Sequence, residues 1–279
     1  MELADAFDPS ACSIDLSARN KDDALHRLAE LATRSDVLSG VDEQTIYQAL
    51  SDRERQGSTG FGKEVALPHA RIPGMDRFMV YFGVFRAGVA FDSLDRKKVK
   101  VVFVILGPAE QVQHHLRLLA AVSRIYAHTN VKQELLRAGS LEVALEAVER
   151  HVGQKDLSAP RTGTGPEAVM KLLFVTVYVE QFMYDILELL LEFGVDGATI
   201  LESSGMSRYI SNVPLFAEFI GFMNESKNTS KTILALVPER HVNAIVERIE
   251  QVTGDLDKRE GAIVLALDVS FFKGTMKMM

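Results

Sequence analysis

Residues 53–71 read RERQGSTGFGKEVALPHAR, and the histidine set between Pro68 and Ala70 organises the run. Imidazole has an unperturbed pKa near neutrality, so His69 can serve as a neutral nucleophile at physiological pH. Pro68 fixes its own φ and biases Leu67 toward extended geometry, which stiffens the backbone entering His69. Val65-Ala66-Leu67 reads as a short strand, placing His69 at a strand end, where a rigid scaffold presents chemistry. Arg53 and Arg71 lie close enough in sequence to bring guanidinium forks toward an anion held there. Ser58 and Thr59 offer hydroxyl donors, although Ser-Thr before Gly60 is equally ordinary turn chemistry.

On both sides of this run the pattern alternates. KDDALHRLAELATR (21–34) has apolar residues at helical spacing behind Asn20 as N-cap, and DEQTIYQALSDRERQ (42–56) reads as a second helix ending at Gly57. RFMVYFGVFR (77–86) and KVKVVFVILG (98–107) read as strands, and helices follow at 110–128, 131–138 and 140–151. Strands in the middle with helices on both sides predict a mixed sheet layered by helices. The helix at 110–128 carries His114-His115, whose side chains point ~100° apart. His115 falls inside the apolar arc of Val112, Leu116, Leu119, Ser123 and Tyr126, so it is the inward-facing one. A hydrogen-bonded core histidine is the plain alternative for it.

Several chemistries are excluded. GSTGFGKE (57–64) matches a phosphate-binding P-loop for seven positions, then has Glu64 where Mg²⁺ needs Ser or Thr. It also follows a helix and opens a strand, the reverse of that motif's context. Cys12 stands alone, and neither H-E-x-x-H nor Cys-x-x-Cys occurs, so no metal site is expected. G-x-S-x-G is also missing, and Ser203-Ser204 does not replace it.

A chain of 279 residues exceeds the usual single-domain size, so two cores are expected. GQKDLSAPRTGTGP (153–166) has linker composition, which divides the chain into a domain at 1–152, the linker, and a domain at 167–279. A net charge of -7 argues against nucleic acid as a partner. The N-terminus MELADAFDPS has neither the basic nor the apolar region of a signal peptide. No apolar run approaches the ~20 residues that cross a bilayer, so contact with a membrane is peripheral at most. One cysteine rules out an internal disulfide and fits a reducing cytoplasm, the expected location.

After the linker the order is strand (168–178), helix (179–195), strand (197–204), strand (231–238), helix (239–254), strand (261–269). This βαββαβ order predicts a ferredoxin-like sandwich, an architecture that hosts many functions. The fold class is therefore α/β throughout.

The first ~150 residues resemble the enzyme IIA proteins of the sugar phosphotransferase system, in their fructose/mannitol and nitrogen-regulatory branch. That family's pattern is an Arg-Glu pair, a Ser-Thr-(apolar)-Gly turn and a Pro-His-(small)-Arg run, matched here by Arg53-Glu54, Ser58 to Gly62, and Pro68-His69-Ala70-Arg71. The resemblance implies that His69 accepts a phosphoryl group from a phosphorylated histidine carrier (HPr-like) and passes it on. It also implies that His115, followed by Leu116 and Leu119, sits beside His69. Arg53 and His115 are then the catalytic partners of His69, and Arg71, Ser58 and Thr59 the residues touching the phosphoryl group. No metal or cofactor is required.

Residues from about 168 to 270 resemble PII-type nitrogen-regulatory proteins and their PII-like relatives. The resemblance implies a homotrimer whose clefts bind adenine nucleotides or other small effectors, with a signalling loop at about 205–230. Where PII proteins carry a GDGKI-type run for nucleotide phosphates, this chain has GDLDKREGAIV. Lys258 and Arg259 are its cations, and Asp255, Asp257 and Glu260 oppose an anion. The expected function is a phosphohistidine carrier with a regulatory module, feeding either a separate IIB protein or a regulatory target. The alternative is a non-catalytic binding module sensing a nucleotide or other small effector.

Overall fold

A computed structural model describes residues 2–38, 40–93, 95–152, 169–195, 197–204, 229–258 and 261–272. The chain divides into two units, residues 1–161 and 162–279. The expected linker (153–166) and nearly all of the expected signalling loop (205–230) lie outside the described residues.

In the first unit a short helix α1 (Leu3–Ala6) precedes α2 (Lys21–Ala32) and α3 (Glu43–Arg55). Asn20 caps α2 by accepting from Asp23 N at 2.9 Å, and Asp42 caps α3 by accepting from Thr45 N at 2.7 Å; each such cap stabilises its helix by ~1 kcal/mol. The strands are β1 (Gly60–Gly62), β2 (Val65–Ala66), β3 (His69–Ile72), β4 (Met79–Val89) and β5 (Val99–Pro108). Helices α4 (Val112–His128), α5 (Val131–Arg137) and α6 (Leu141–Val152) follow. The central strand β5 pairs antiparallel with β4 on one edge. On the other edge it pairs parallel with β2 through Val101 and Val102, then with β3 through Ile105 to Pro108. The mixed sheet is as the alternating pattern predicts. Its core is filled by Tyr81, Phe82, Phe85, Ile105, Leu28 and Leu50, and the buried Tyr81 hydroxyl donates to Leu28 O at 2.7 Å.

Pro68 accounts for the break between β2 and β3. It has no amide hydrogen to give the ladder, but its carbonyl still accepts from Ile105 N at 3.1 Å. The segment that imitates a P-loop is a β1–β2 hairpin whose two turn residues, Lys63 and Glu64, have φ of 53° and 68°. Two positive φ values are what a tight hairpin with the correct twist demands. Their cost is offset by anchoring: Lys63 N donates to Asp95 Oδ2 at 2.8 Å, and Glu64 meets Lys100 Nζ at 2.6 Å and Lys132 Nζ at 3.1 Å.

The second unit has β6 (Met170–Val177), α7 (Glu180–Glu192), β7 (Ala198–Ser204), β8 (Thr229–Pro238), α8 (Glu239–Thr253) and β9 (Ala262–Asp268). The sheet runs β7-β8-β6-β9 with every neighbour antiparallel, which is the ferredoxin-like βαββαβ arrangement. One sheet face, with Leu173, Val175, Val177, Ile233, Ala235 and Val237, packs on Met183, Ile186, Leu189, Ile245 and Ile249 of the two helices. The alternate residues Phe174, Leu234 and Leu265 share a row on the opposite face. No helix among the described residues is long and apolar enough to cross a membrane.

Candidate functional site

Three elements meet at His69. The last turn of α3 delivers Arg53, the first residue of β3 is His69 itself, and the first turn of α4 delivers His115. Leu67 O and His69 Nδ1 lie 2.7 Å apart, and Arg53 Nε donates to His69 Nε2 at 2.9 Å. A carbonyl can only accept and a guanidinium can only donate. The two bonds therefore assign the proton to Nδ1 and the lone pair to Nε2. Arg53 is steadied in turn by Nη1 donating to Gly57 O at 3.3 Å.

The rings of His69 and His115 have centroids 5.4 Å apart, tilted by 58°, and each offers a nitrogen within 4.8 Å of the other. A group bonded to one ring is thus within hydrogen-bonding reach of the other. His115 rests against Phe78, centroid to centroid 6.2 Å, while His114 meets the edge of the same ring at 6.4 Å. Two imidazoles at this spacing could hold a cation, but the Arg53 guanidinium at Nε2 places a like charge there. The site suits an anion better.

Arg71 follows His69 by two residues on β3, so both side chains leave the same face of the strand. In the parallel register Ile105 is opposite His69 and Gly107 opposite Arg71. The hydroxyls of Ser58 and Thr59 are engaged within the turn. Thr59 Oγ1 donates to Glu54 Oε2 at 2.6 Å; Ser58 Oγ donates to Phe91 O and accepts from Gly60 N at 3.1 Å. Geometry thus brings Arg53 and His115 each against His69, sets Arg71 on the same strand face as His69, and engages the hydroxyls of Ser58 and Thr59 within the turn.

Sequence reasoning left Glu54, Lys21, Phe78 and Gly107 without a role. Phe78 lies over Gly107, where a Cβ would come within 2.1 Å of the ring. No sequence signal links positions 78 and 107, whose meeting depends on β4–β5 pairing. Cys12 is buried, which pushes its thiol up to about 12 and leaves it unreactive. In the second unit Lys258 Nζ is paired with Asp255 Oδ2 at 2.6 Å, and Arg259 lies outside the described residues.

An imidazole lone pair beside a guanidinium and a second imidazole, on a mixed α/β sheet, has the chemistry of a phosphohistidine-type carrier. Residues 5–151 match the family described as the phosphoenolpyruvate-dependent sugar phosphotransferase system, EIIA 2, and the chain belongs to that family. It is 31% identical over 148 residues to the nitrogen regulatory protein of Pseudomonas aeruginosa, spanning 53% of this chain and 95% of that one. It is also 31% identical over 136 residues to the fructose-specific EIIA component of the phosphotransferase system of Haloferax volcanii, spanning 49% and 87%. The crystal structure of nitrogen regulatory protein IIA-Ntr from Neisseria meningitidis is similar at 25% identity and a TM-score of 0.48, covering 52% of this chain and 98% of that one. Another likeness is to the divalent ion tolerance protein CutA1 of Ehrlichia chaffeensis, at 16% identity and a TM-score of 0.27 over 39% and 88%, too slight to argue from. The first unit is therefore an EIIA-type phosphoryl-transfer component, and its family implies an HPr-type phosphocarrier as partner.

Proposed function

We propose that His69 Nε2 is the phosphoryl acceptor of this chain and that its phosphorylation state serves mainly as a regulatory signal. The observation that carries the first part is the pair of bonds on the ring, Leu67 O to Nδ1 and Arg53 Nε to Nε2. They leave one lone pair, on Nε2, beside a guanidinium. In the transfer that lone pair forms a new N–P bond as the N–P bond to the donor histidine breaks, and the bonding electrons return to the donor nitrogen. The Nδ1 proton stays on the ring, where the Leu67 carbonyl stabilises the charge that develops. Charge in flight spreads over the equatorial phosphoryl oxygens, so catalysis is positioning and electrostatics. Arg53 swings its fork from Nε2 to those oxygens, His115 donates to them across the gap, and Arg71 adds a second guanidinium on the same face. Ser58 and Thr59 build the turn that supports Arg53 and Leu67.

The regulatory part rests on the second unit. A relay that only hands phosphoryl groups to a permease has no need of an attached effector sensor. We read this unit as a PII-like module on its ferredoxin-like topology and its sequence resemblance. It senses a small effector and assembles as a homotrimer through its sheet, whose open face exposes Ile263, Leu265 and Leu267. The test is incubation with phosphoenolpyruvate, enzyme I and HPr, followed by intact-mass analysis under alkaline conditions, with His69→Ala as control. An acid-labile gain of about 80 Da on wild type alone is expected. No gain, with nitrogen-pathway carriers also tried, leaves the non-catalytic binding module as the reading.

A further inference from the structure

Glu54 is a buried carboxylate that the transfer scheme does not use. It occupies the last turn of α3, where the helix dipole disfavours negative charge, and only 5% of its surface is exposed. Burying a charge there costs several kcal/mol unless the surroundings answer it. They do so from two sides. Oε2 accepts from Thr59 N at 3.0 Å and from Thr59 Oγ1 at 2.6 Å, and Oε1 faces Lys21 Nζ at 3.3 Å. Lys21 also donates to Asp92 Oδ2 at 2.7 Å. Burial alone would lower its pKa, but Asp92 and Glu54 outweigh that and hold the ammonium above its usual value.

The clamp continues toward the reacting ring. Thr59, fixed at both its amide and its hydroxyl, presents its carbonyl to Leu67 N at 3.0 Å. Leu67 then presents its own carbonyl to His69 Nδ1 at 2.7 Å. Each link fixes the direction of the next, and the last acts together with the Arg53 Nε bond to Nε2 in deciding which ring nitrogen keeps its proton.

We infer that Glu54 is a positioning residue for phosphoryl transfer: through Thr59 and the Leu67 carbonyl it holds His69 in the Nδ1–H tautomer, with the Nε2 lone pair toward the donor. This deepens the phosphocarrier reading, and only its kinetic consequence rests on that reading. Glu54 touches neither the phosphoryl group nor the ring. Its effect passes through the geometry of one carbonyl, and misplacement on the order of 1 Å can cost up to about a hundredfold in rate.

The test uses the full chain and two readouts. Two-bond proton–nitrogen correlation of the His69 ring reports the tautomer directly, whether or not any phosphoryl group is ever transferred. The rate of mass gain with phosphorylated HPr reports the consequence. In wild type the ring should show a single Nδ1–H form. Glu54→Ala should populate the Nε2–H form and slow uptake at least about tenfold. Glu54→Gln keeps an oxygen acceptor for Thr59 and should restore the wild-type ring signature. Folded Glu54→Ala with unchanged ring nitrogens and an unchanged rate overturns the inference. Should Glu54→Ala fail to fold, Thr59→Val against Thr59→Ser decides. The valine is expected to disturb the tautomer and the serine to preserve it; identical ring signatures for the two overturn the inference. If wild type takes up no phosphoryl group, the phosphocarrier reading fails, while the ring signature still judges Glu54.

Discussion

Gly107→Ala tests how closely the second histidine is held. An ideal Cβ on Gly107 lies 2.1 Å from Phe78 Cδ1 and 2.2 Å from Cε1. Carbon atoms rest comfortably at about 3.5 to 4 Å, so the ring must retreat by roughly 1.5 Å. The backbone of β5 bounds one side of Phe78, and on another lie His115 at 6.2 Å and His114 at 6.4 Å. Phe78 is 3% exposed, which leaves no open space to move into. Overpacking of this kind costs about 1–3 kcal/mol. For a unit of this size that lowers Tm by about 2–12 °C. Part of the displacement passes to His115, and if that residue meets the transition state as proposed, a shift on the order of 1 Å should slow transfer by about ten- to a hundredfold. Differential scanning fluorimetry and a time course of phosphoryl uptake measure both effects. Adding Phe78→Leu, which shortens the obstructed side chain, should recover most of the lost Tm. A Gly107→Ala protein with Tm within about 1 °C of wild type and an unaltered rate would refute the reasoning, because the ring would then have room that this packing denies it.

Two further perturbations address the hairpin and the second unit. Hydrogen bonds from Lys100 and Lys132 hold the Glu64 carboxyl below its usual value. A depressed folded pKa contributes stability above the unfolded value of about 4.3 and loses it as pH falls through the lower folded one. Glu64→Gln should therefore cost about 0.5–1 kcal/mol at pH 7, and the difference should close toward pH 3; equal costs at both pH values would assign the effect to shape rather than charge. In the second unit Leu265, 55% exposed, stands on the open sheet face. Leu265→Asp should convert a trimer to monomers in light scattering after size exclusion; a wild-type chain already monomeric would remove the sheet face from the assembly.

Much of the fold is legible in the sequence, for a physical reason. The elements follow hydrophobic period and local punctuation, and both are written within a dozen residues. Asn20 announces a helix start because a cap acts over three residues. The stiff approach to His69 is likewise local, set by Pro68. What sequence could not give was the disposition of hydroxyls and aromatic rings that meet only through tertiary pairing. Ser58 and Thr59 offered themselves as donors to the anion. Yet Glu54, five positions before Thr59, takes its hydroxyl, and Phe91, thirty-three after Ser58, takes the other. Phe78 and Gly107 belong to the same class. A glycine in a strand reads as a weakness until the partner that fills its space is known.

If His69 accepts a phosphoryl group as proposed, lysine should not replace Arg53. Its Nε holds the Nε2 lone pair while Nη1 reaches the Gly57 carbonyl, so one planar group spans the ring and the turn. An ammonium could neutralise a phosphoryl oxygen, but it has no fork with which to leave the ring and grip two oxygens in one plane. In that scheme the guanidinium covers the lone pair until the anion arrives, and the bond lost on its departure is replaced by charge-assisted ones to the phosphoryl oxygens. The exchange is favourable only when that anion is present. On the proposed scheme the guanidinium is the gate of the nucleophile and the clamp on what it receives, and the Glu54–Thr59–Leu67 chain keeps the ring turned toward it.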